Sequence, residues 1–234
     1  MNVKESLALL EKHADKKVAA GMARFGITTD LKVLGMPVGT MRTLAKQIGR
    51  DHGLALKLWE TDVYEAQFVA CFIADPAQLT VATMNAWTKS FDNWATCDTA
   101  CFCLFDRSPH AWGRVDPWAK SKQEFVRRAG YALLASLAGH DKKATDDQFL
   151  AMLPLIEKGA ADERNFVWKG VSWALRRTGL RSPRLRRECT VLAEKLAASD
   201  TEAQRWVGKD ALKDFTKTRK SRTKAKGKSV PSVS

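Results

Sequence analysis

What most constrains this chain is a near-absence. Runs of four to eight alternating β-branched and aromatic residues bounded by turns, the mark of a strand, hardly occur. Valines are scattered, and tyrosine stands only at 64 and 131. In place of strands, amphipathic segments follow one another with short punctuation, which predicts an all-α fold. The spacing predicts helices over 3–22, 39–48, 53–59, 63–73, 77–87, 93–105, 122–138, 145–157, 162–177, 183–197 and 201–215, with a looser stretch at 110–119. Thr61-Asp62, Asp92 and Ser182-Pro183 read as N-terminal caps, and Gly139, Gly159 and Gly179 as C-terminal stops.

Short connections make neighbouring helices antiparallel pairs, recurring roughly every 30–40 residues, the period of HEAT or armadillo arrays. The expected architecture is an α-solenoid, a superhelix of HEAT-like pairs with a concave basic face. One domain is expected over 1–216, followed by a basic, low-complexity and disordered tail over 217–234.

The charge balance says what that face would meet. There are 39 Lys and Arg against 26 Asp and Glu, a formal +13. Seven cations and no acid lie between Lys217 and Lys228, which leaves about +6 for the rest. A basic body with a more basic tail points to a polyanion, nucleic acid first among them; a merely solubilising tail is the plain alternative. The first 17 residues are polar and charged, unlike a secretory leader, and no apolar run is long enough to span a membrane. Five cysteines, three of them within 97–103, fit reduced thiols in a reducing compartment. Their spacing does not suit a metal, the four histidines are scattered, and no glycine-rich phosphate loop is present. Neither metal nor cofactor is expected.

Three helical faces hold residues that could do chemistry. In 91–105, Phe91, Trp94, Ala95, Cys101, Phe102 and Phe105 share an arc about 120° wide. Asp98 falls in the middle of it, one turn after Trp94. An ionised carboxylate in an apolar stripe is costly unless something pairs with it or uses it. In 162–177, Val167, Trp168, Val171, Ala174 and Leu175 form the core arc, while Trp173 points away among Lys169, Arg176, Arg177 and Phe166. Such an indole either stacks on a ligand or packs into the next repeat. In 122–138, Phe125, Ala129, Ala132 and Leu133 form the core stripe, with Arg127, Arg128 and Tyr131 opposite. One of these arginines could clamp a phosphate or hold Asp98 ionised, or be an ordinary solvated charge. Asp62 and Glu65, in a first turn, read as helix-dipole partners.

Four pieces of the chain resemble, in order, the AlkD-type DNA alkylation repair family of HEAT-like-repeat DNA glycosylases. They are Leu34-Gly-Met-Pro-Val-Gly-Thr-Met-Arg-Thr-Leu-Ala-Lys46, Asn93-Trp-Ala-Thr-Cys-Asp98, Phe125-Val-Arg-Arg-Ala129 and Trp168-Lys-Gly-Val-Ser-Trp-Ala-Leu-Arg176. The resemblance implies a right-handed superhelix whose basic groove holds double-stranded DNA carrying alkylated bases. It implies hydrolysis of the N-glycosidic bond of cationic alkylpurines such as 3-methyladenine and 7-methylguanine. The family's catalytic carboxylate matches Asp98, its flanking tryptophans Trp94 and Trp173, and its supporting arginine Arg128, or Arg127 one position away. An aromatic that the family places on an N-terminal helix has Phe25 as its candidate here.

A cationic base is already a good leaving group, so no general acid is needed; a fixed carboxylate would stabilise the oxocarbenium-like sugar. No lysine stands among these residues, so a monofunctional enzyme without Schiff-base chemistry is expected. Lys169, Arg176, Arg177, Arg127, Lys217, Arg219 and Lys220 are the expected DNA contacts, and the protein is expected to be a cytoplasmic, nucleoid-associated monomer. Two other classes remain: a catalytically silent relative that binds damaged or branched DNA, and a protein-binding helical scaffold.

Overall fold

A computed structural model describes the backbone of residues 1–226 and the side chains of residues 1–217. The described residues are helical, with one isolated parallel bridge between Lys32 and Val63 as their β-type pairing. No helix among them is long and apolar enough to cross a membrane. The chain divides into two compact units, Met1–Leu133 and Leu134–Ser234.

The first unit contains α1 (Val3–Glu11), α2 (Lys16–Gly21), α3 (Val38–Ile48), α4 (His52–Trp59), α5 (Tyr64–Ile73), α6 (Val81–Lys89), α7 (Trp94–Cys103) and α8 (Trp112–Ala119). It takes in most of α9 (Glu124–His140). The single opening helix expected over 3–22 is two helices, because the Asp15 carboxylate caps the amides of Lys17 and Val18 and starts a second one. The loose stretch at 110–119 is helical as α8, with Pro117 on its exposed side. Caps also differ from expectation: α5 has Val63 at its N-cap and no side-chain cap, α6 is capped by Thr80, and α7 by Asn93 rather than Asp92.

Helices α3 and α7 both pack on α5, and an aromatic core lies beneath them. Trp59 and Trp87 stack at 4.0 Å, with Phe91, Phe105 and Trp118 around them. Behind α7 the buried residues are Cys97, Ala100, Cys101 and Leu104.

A loop fixed from below joins α2 to α3. Buried Glu65 lies in the first turn of α5, as expected of a helix-dipole partner, and also accepts the amides of Leu34 at 3.0 Å and Gly35 at 2.8 Å as a structural anchor. Asp15 donates its own amide to the carbonyls of both residues. Gly35 has φ +80°, and a Cβ there would overlap the Asp15 carbonyl oxygen and lie 2.5 Å from the Ala19 amide. Only glycine satisfies both the backbone angle and the approach of α2. Glu65→Gln leaves a second buried amide facing a donor, so a loss of about 2 kcal/mol is expected. Urea unfolding checks it, and an unchanged midpoint would mean the loop is held by its neighbours alone.

The second unit contains the end of α9, then α10 (Asp146–Leu150), α11 (Leu153–Gly159), α12 (Asn165–Arg181), α13 (Pro183–Ala197) and α14 (Glu202–Lys226). The helix expected over 145–157 is two, re-initiated with Pro154 in the first turn of the second. Ser182 caps α13 as expected, and Pro183 is its first residue. Gly179 does not end α12; it lies within it, where a Cβ would sit 2.5 Å from the Phe215 ring of α14. Helices α12, α13 and α14 pack on one another. Helix α14 runs as backbone to Lys226 and so takes in the first part of the basic tail. The remainder of that tail, 227–234, lies outside the described residues.

Candidate active site

Asp98 lies in the second turn of α7, whose start is set by the Asn93 side chain accepting the amides of Ala95 and Thr96 at 3.0 and 3.1 Å. The apolar arc expected on this helix is split. Phe91, Cys101 and Phe105 are in the core, whereas Trp94, Ala95, Asp98 and Phe102 are half-buried. The aspartate therefore stands on a shoulder of the helix and not in the middle of its core face.

That shoulder borders a cavity of about 560 Å³. Helix α2, the following turn at Ala23–Phe25, the loop at Met36–Val38, Met41, Tyr64 and Phe68 supply its walls, and Trp94, Ala95, Asp98 and Thr99 complete them. Most of the lining is apolar, with Lys17 and Arg24 as its cations.

The Asp98 carboxylate is gripped from behind by α9. Arg128 donates from Nε to Oδ1 at 2.8 Å and from Nη2 to Oδ2 at 2.7 Å, a bidentate fork. The two side chains are 20% and 7% exposed respectively. Burial raises the Asp98 carboxyl above the ordinary aspartate value, while the Arg128 guanidinium pulls the other way and tempers the rise. Of the two candidate arginines, Arg128 makes this fork; Arg127 is half-buried next to it in sequence. Arg128 and Tyr131, expected opposite the core stripe, are both buried. An arginine at this depth exists because the carboxylate meets it; alone it would be a costly core residue.

The Trp94 indole is fixed too. Its Nε1 donates to the Phe25 carbonyl at 3.1 Å, across the mouth of the cavity. Phe25 itself is 62% exposed, with the Arg24 guanidinium 4.9 Å from its ring centroid. Trp94→Phe keeps the aromatic face but frees that carbonyl. A loss of roughly 1 kcal/mol is expected, with faster amide exchange over 23–26 as the local readout; unchanged exchange would mean the bond does not hold the turn.

The remaining candidates belong to the second unit. Trp173 is half-buried on α12, Lys169 is exposed, and Arg177 is half-buried. Arg176 is engaged with acids of α14, 3.2 Å from Asp210 and 3.8 Å from Asp214, so it is less available to a ligand than expected. Lys217 is exposed, and Arg219 and Lys220 follow it on the α14 backbone.

Four of the five thiols are poor nucleophiles. Burial pushes Cys71, Cys101 and Cys103 up, and Cys189 up to about 12. Among the described residues no group of three His, Cys, Asp or Glu could hold a metal ion.

The anchoring role of Glu65 and the role of the Phe25 carbonyl left little trace in the sequence; Gly35, two residues before Pro37, was the one visible hint. Lys17 also lines the cavity, although no lysine was expected at the site.

A family model described as DNA alkylation repair enzyme matches residues 7–215. No curated protein matches the chain. A solved structure described as a new family of proteins related to the HEAT-like repeat DNA glycosylases, with affinity for branched DNA structures, superposes with a TM-score of 0.76. It is 19% identical and covers 91% of this chain and 95% of its own, which makes the fold that of the HEAT-like repeat proteins. A designed armadillo repeat protein in complex with a (KR)4 peptide gives a TM-score of 0.37 at 16% identity, covering 77% of this chain and 70% of its own.

Proposed function

The chain belongs to the DNA alkylation repair enzyme family, and from that premise we propose that it is a monofunctional DNA glycosylase. It hydrolyses the N-glycosidic bond of cationic alkylpurines, 3-methyladenine and 7-methylguanine, in double-stranded DNA. The observation that carries this reading is the Asp98 carboxylate at the edge of an open cavity, locked by two bonds from a buried arginine.

The chemistry follows from that arrangement. An N-alkylated purine leaves without being protonated, so the charge that must be stabilised is the positive one growing on the deoxyribose. A carboxylate already fixed by Arg128 needs no reorganisation to meet it, which is where electrostatic catalysis gains most. The same group can orient the attacking water. Trp94, held by the Phe25 carbonyl, offers a rigid π face to a cationic sugar or base; the family resemblance assigns a like role to Trp173 of the second unit. Arg127, Lys169, Arg177, Lys217, Arg219 and Lys220 contact phosphates, joined by Lys17 and Arg24 at the cavity and, more weakly, by acid-paired Arg176.

Lys17 also offers the test of the monofunctional assignment. Borohydride should trap no covalent adduct with abasic or methylated DNA; an adduct lost in Lys17→Met would make the protein a lyase as well.

The relative described as having affinity for branched DNA supports a second reading, a binder without chemistry. Release of free base from methylated duplex separates the two. The glycosylase reading expects free 7-methylguanine with one abasic site per base released. Tight binding to a four-way junction with no base released would favour the silent binder.

A further inference from the structure

Gly139 lies inside the last turn of α9, not beyond a helix end, and its missing side chain has a visible use. A Cβ at 139 would overlap Arg177 Nη2 of α12 and come within 3.1 Å of its Cζ. The guanidinium of Arg177 rests in that space, on the edge of a hollow of about 420 Å³. Lys142, Asp146 and Arg181 share the lining.

These charges are not equivalent. Lys142 Nζ donates to the Gly139 carbonyl at 2.7 Å. Arg181 donates to the carbonyls of Ala138 and Ala144 and lies 4.6 Å over the Phe149 ring. Both thereby cap the carbonyl end of α9, an ordinary place for cations. Asp146 accepts the Ser182 hydroxyl at 2.6 Å. Arg177 is different: its Nε is buried with no acceptor, and it has no ion-pair partner among the described residues. A guanidinium N–H hidden from water without an acceptor is costly. Three cations against one acid around a single hollow describe a seat for an anion with several oxygens. The planar fork of arginine suits phosphate geometry.

We propose that this hollow is a phosphate seat, taking one backbone phosphodiester of bound DNA on Arg177 and Lys142, with Gly139 keeping the seat open. Arg181 contributes its charge and holds the turn that carries Lys142. The choice of ligand rests on the DNA reading above; the seat itself does not depend on Asp98 or on any chemistry.

The test is the salt dependence of binding to an unmodified duplex, measured on the full chain. Each phosphate contact adds about 0.9 to the negative log–log slope. Arg177→Gln and Lys142→Gln should each reduce the slope by about that amount, whereas Lys143→Gln, an exposed cation outside the hollow, should not. Gly139→Ala should reproduce Arg177→Gln by expelling the guanidinium, and adding it to Arg177→Gln should change nothing further. Thermal unfolding confirms that each variant is folded, and the lysine variant disturbs no buried group.

Equal slopes for all three cation variants would reveal diffuse attraction and overturn the proposal. So would inorganic phosphate shifting the Arg177 Nε resonance while the duplex slopes stay unchanged, which would make this a seat for small phosphates. Because no base is released in this experiment, its failure leaves the glycosylase reading standing. Failure of base release likewise leaves the seat standing.

Discussion

Asp98→Asn should remain folded and bind duplex DNA at least as well as the parent, yet lose base release by a factor on the order of 10²–10³. The amide has nearly the shape of the carboxylate, so α7 and the cavity wall are preserved. Removing a negative charge from a surface that meets phosphates does not weaken binding. What disappears is the fixed charge that the developing sugar cation would face. The substitution also turns one of the two bonds from Arg128 into a donor–donor contact, since Asn has a single carbonyl oxygen where Asp98 has two acceptors. A fall in stability of about 1–3 kcal/mol is therefore expected. Urea unfolding and duplex titration at fixed salt separate that effect from the catalytic one. Release at the parental rate from a folded, DNA-bound variant would place the chemistry elsewhere.

Arg128→Met should show the largest effect on stability and the clearest dependence on pH. Removing one partner of a buried pair costs roughly 3–5 kcal/mol when both are enclosed. The Asp98 carboxylate keeps 20% of its side-chain surface, so the lower end of that range is expected. The sign with pH follows from burial. In the parent, burial already lifts the Asp98 carboxyl above the ordinary aspartate value, and Arg128 is the influence that lowers it. Without Arg128 the carboxyl rises further. A group whose folded pKa exceeds its unfolded one favours the folded state while protonated and loses that advantage as pH climbs through the folded value. The deficit of Arg128→Met should thus be smallest in acid and grow toward neutral pH. Activity moves the same way: the acid limb of kcat/KM lies above the ordinary aspartate value in the parent and shifts further up in the variant. An acid limb that stays in place when Arg128 is removed would mean that Asp98 is not the group titrating.

The sequence showed the architecture because helical periodicity is local. It also singled out Asp98 and Trp94, which border the cavity, since a carboxylate and an indole one turn apart on an apolar face break the expected pattern. It did not show which way the face turned. Cys97, Ala100 and Cys101 are small and pack tightly against neighbouring helices, while the larger Trp94 and Phe102 stay at the edge; residue size misled the placement of the core. Arg128 read as outward because its charge hid a buried pairing with Asp98 across α7 and α9, and Tyr131 is buried as well. The partners of Glu65 and Gly139 were invisible because each answers a group more than 25 residues away, Gly35 and Arg177 respectively. The helix break at Asp15 turned on a single cap and the one before Pro154 lies at a single proline, details that a periodicity window averages out.

The most direct trial is a single-turnover time course with enzyme in excess over a duplex bearing one 7-methylguanine, run side by side for the parent chain and Asp98→Asn. Free 7-methylguanine is expected from the parent, and a rate lower by roughly two orders of magnitude or more from the variant. Equal rates, or a parent that binds the duplex and liberates nothing, would contradict that expectation.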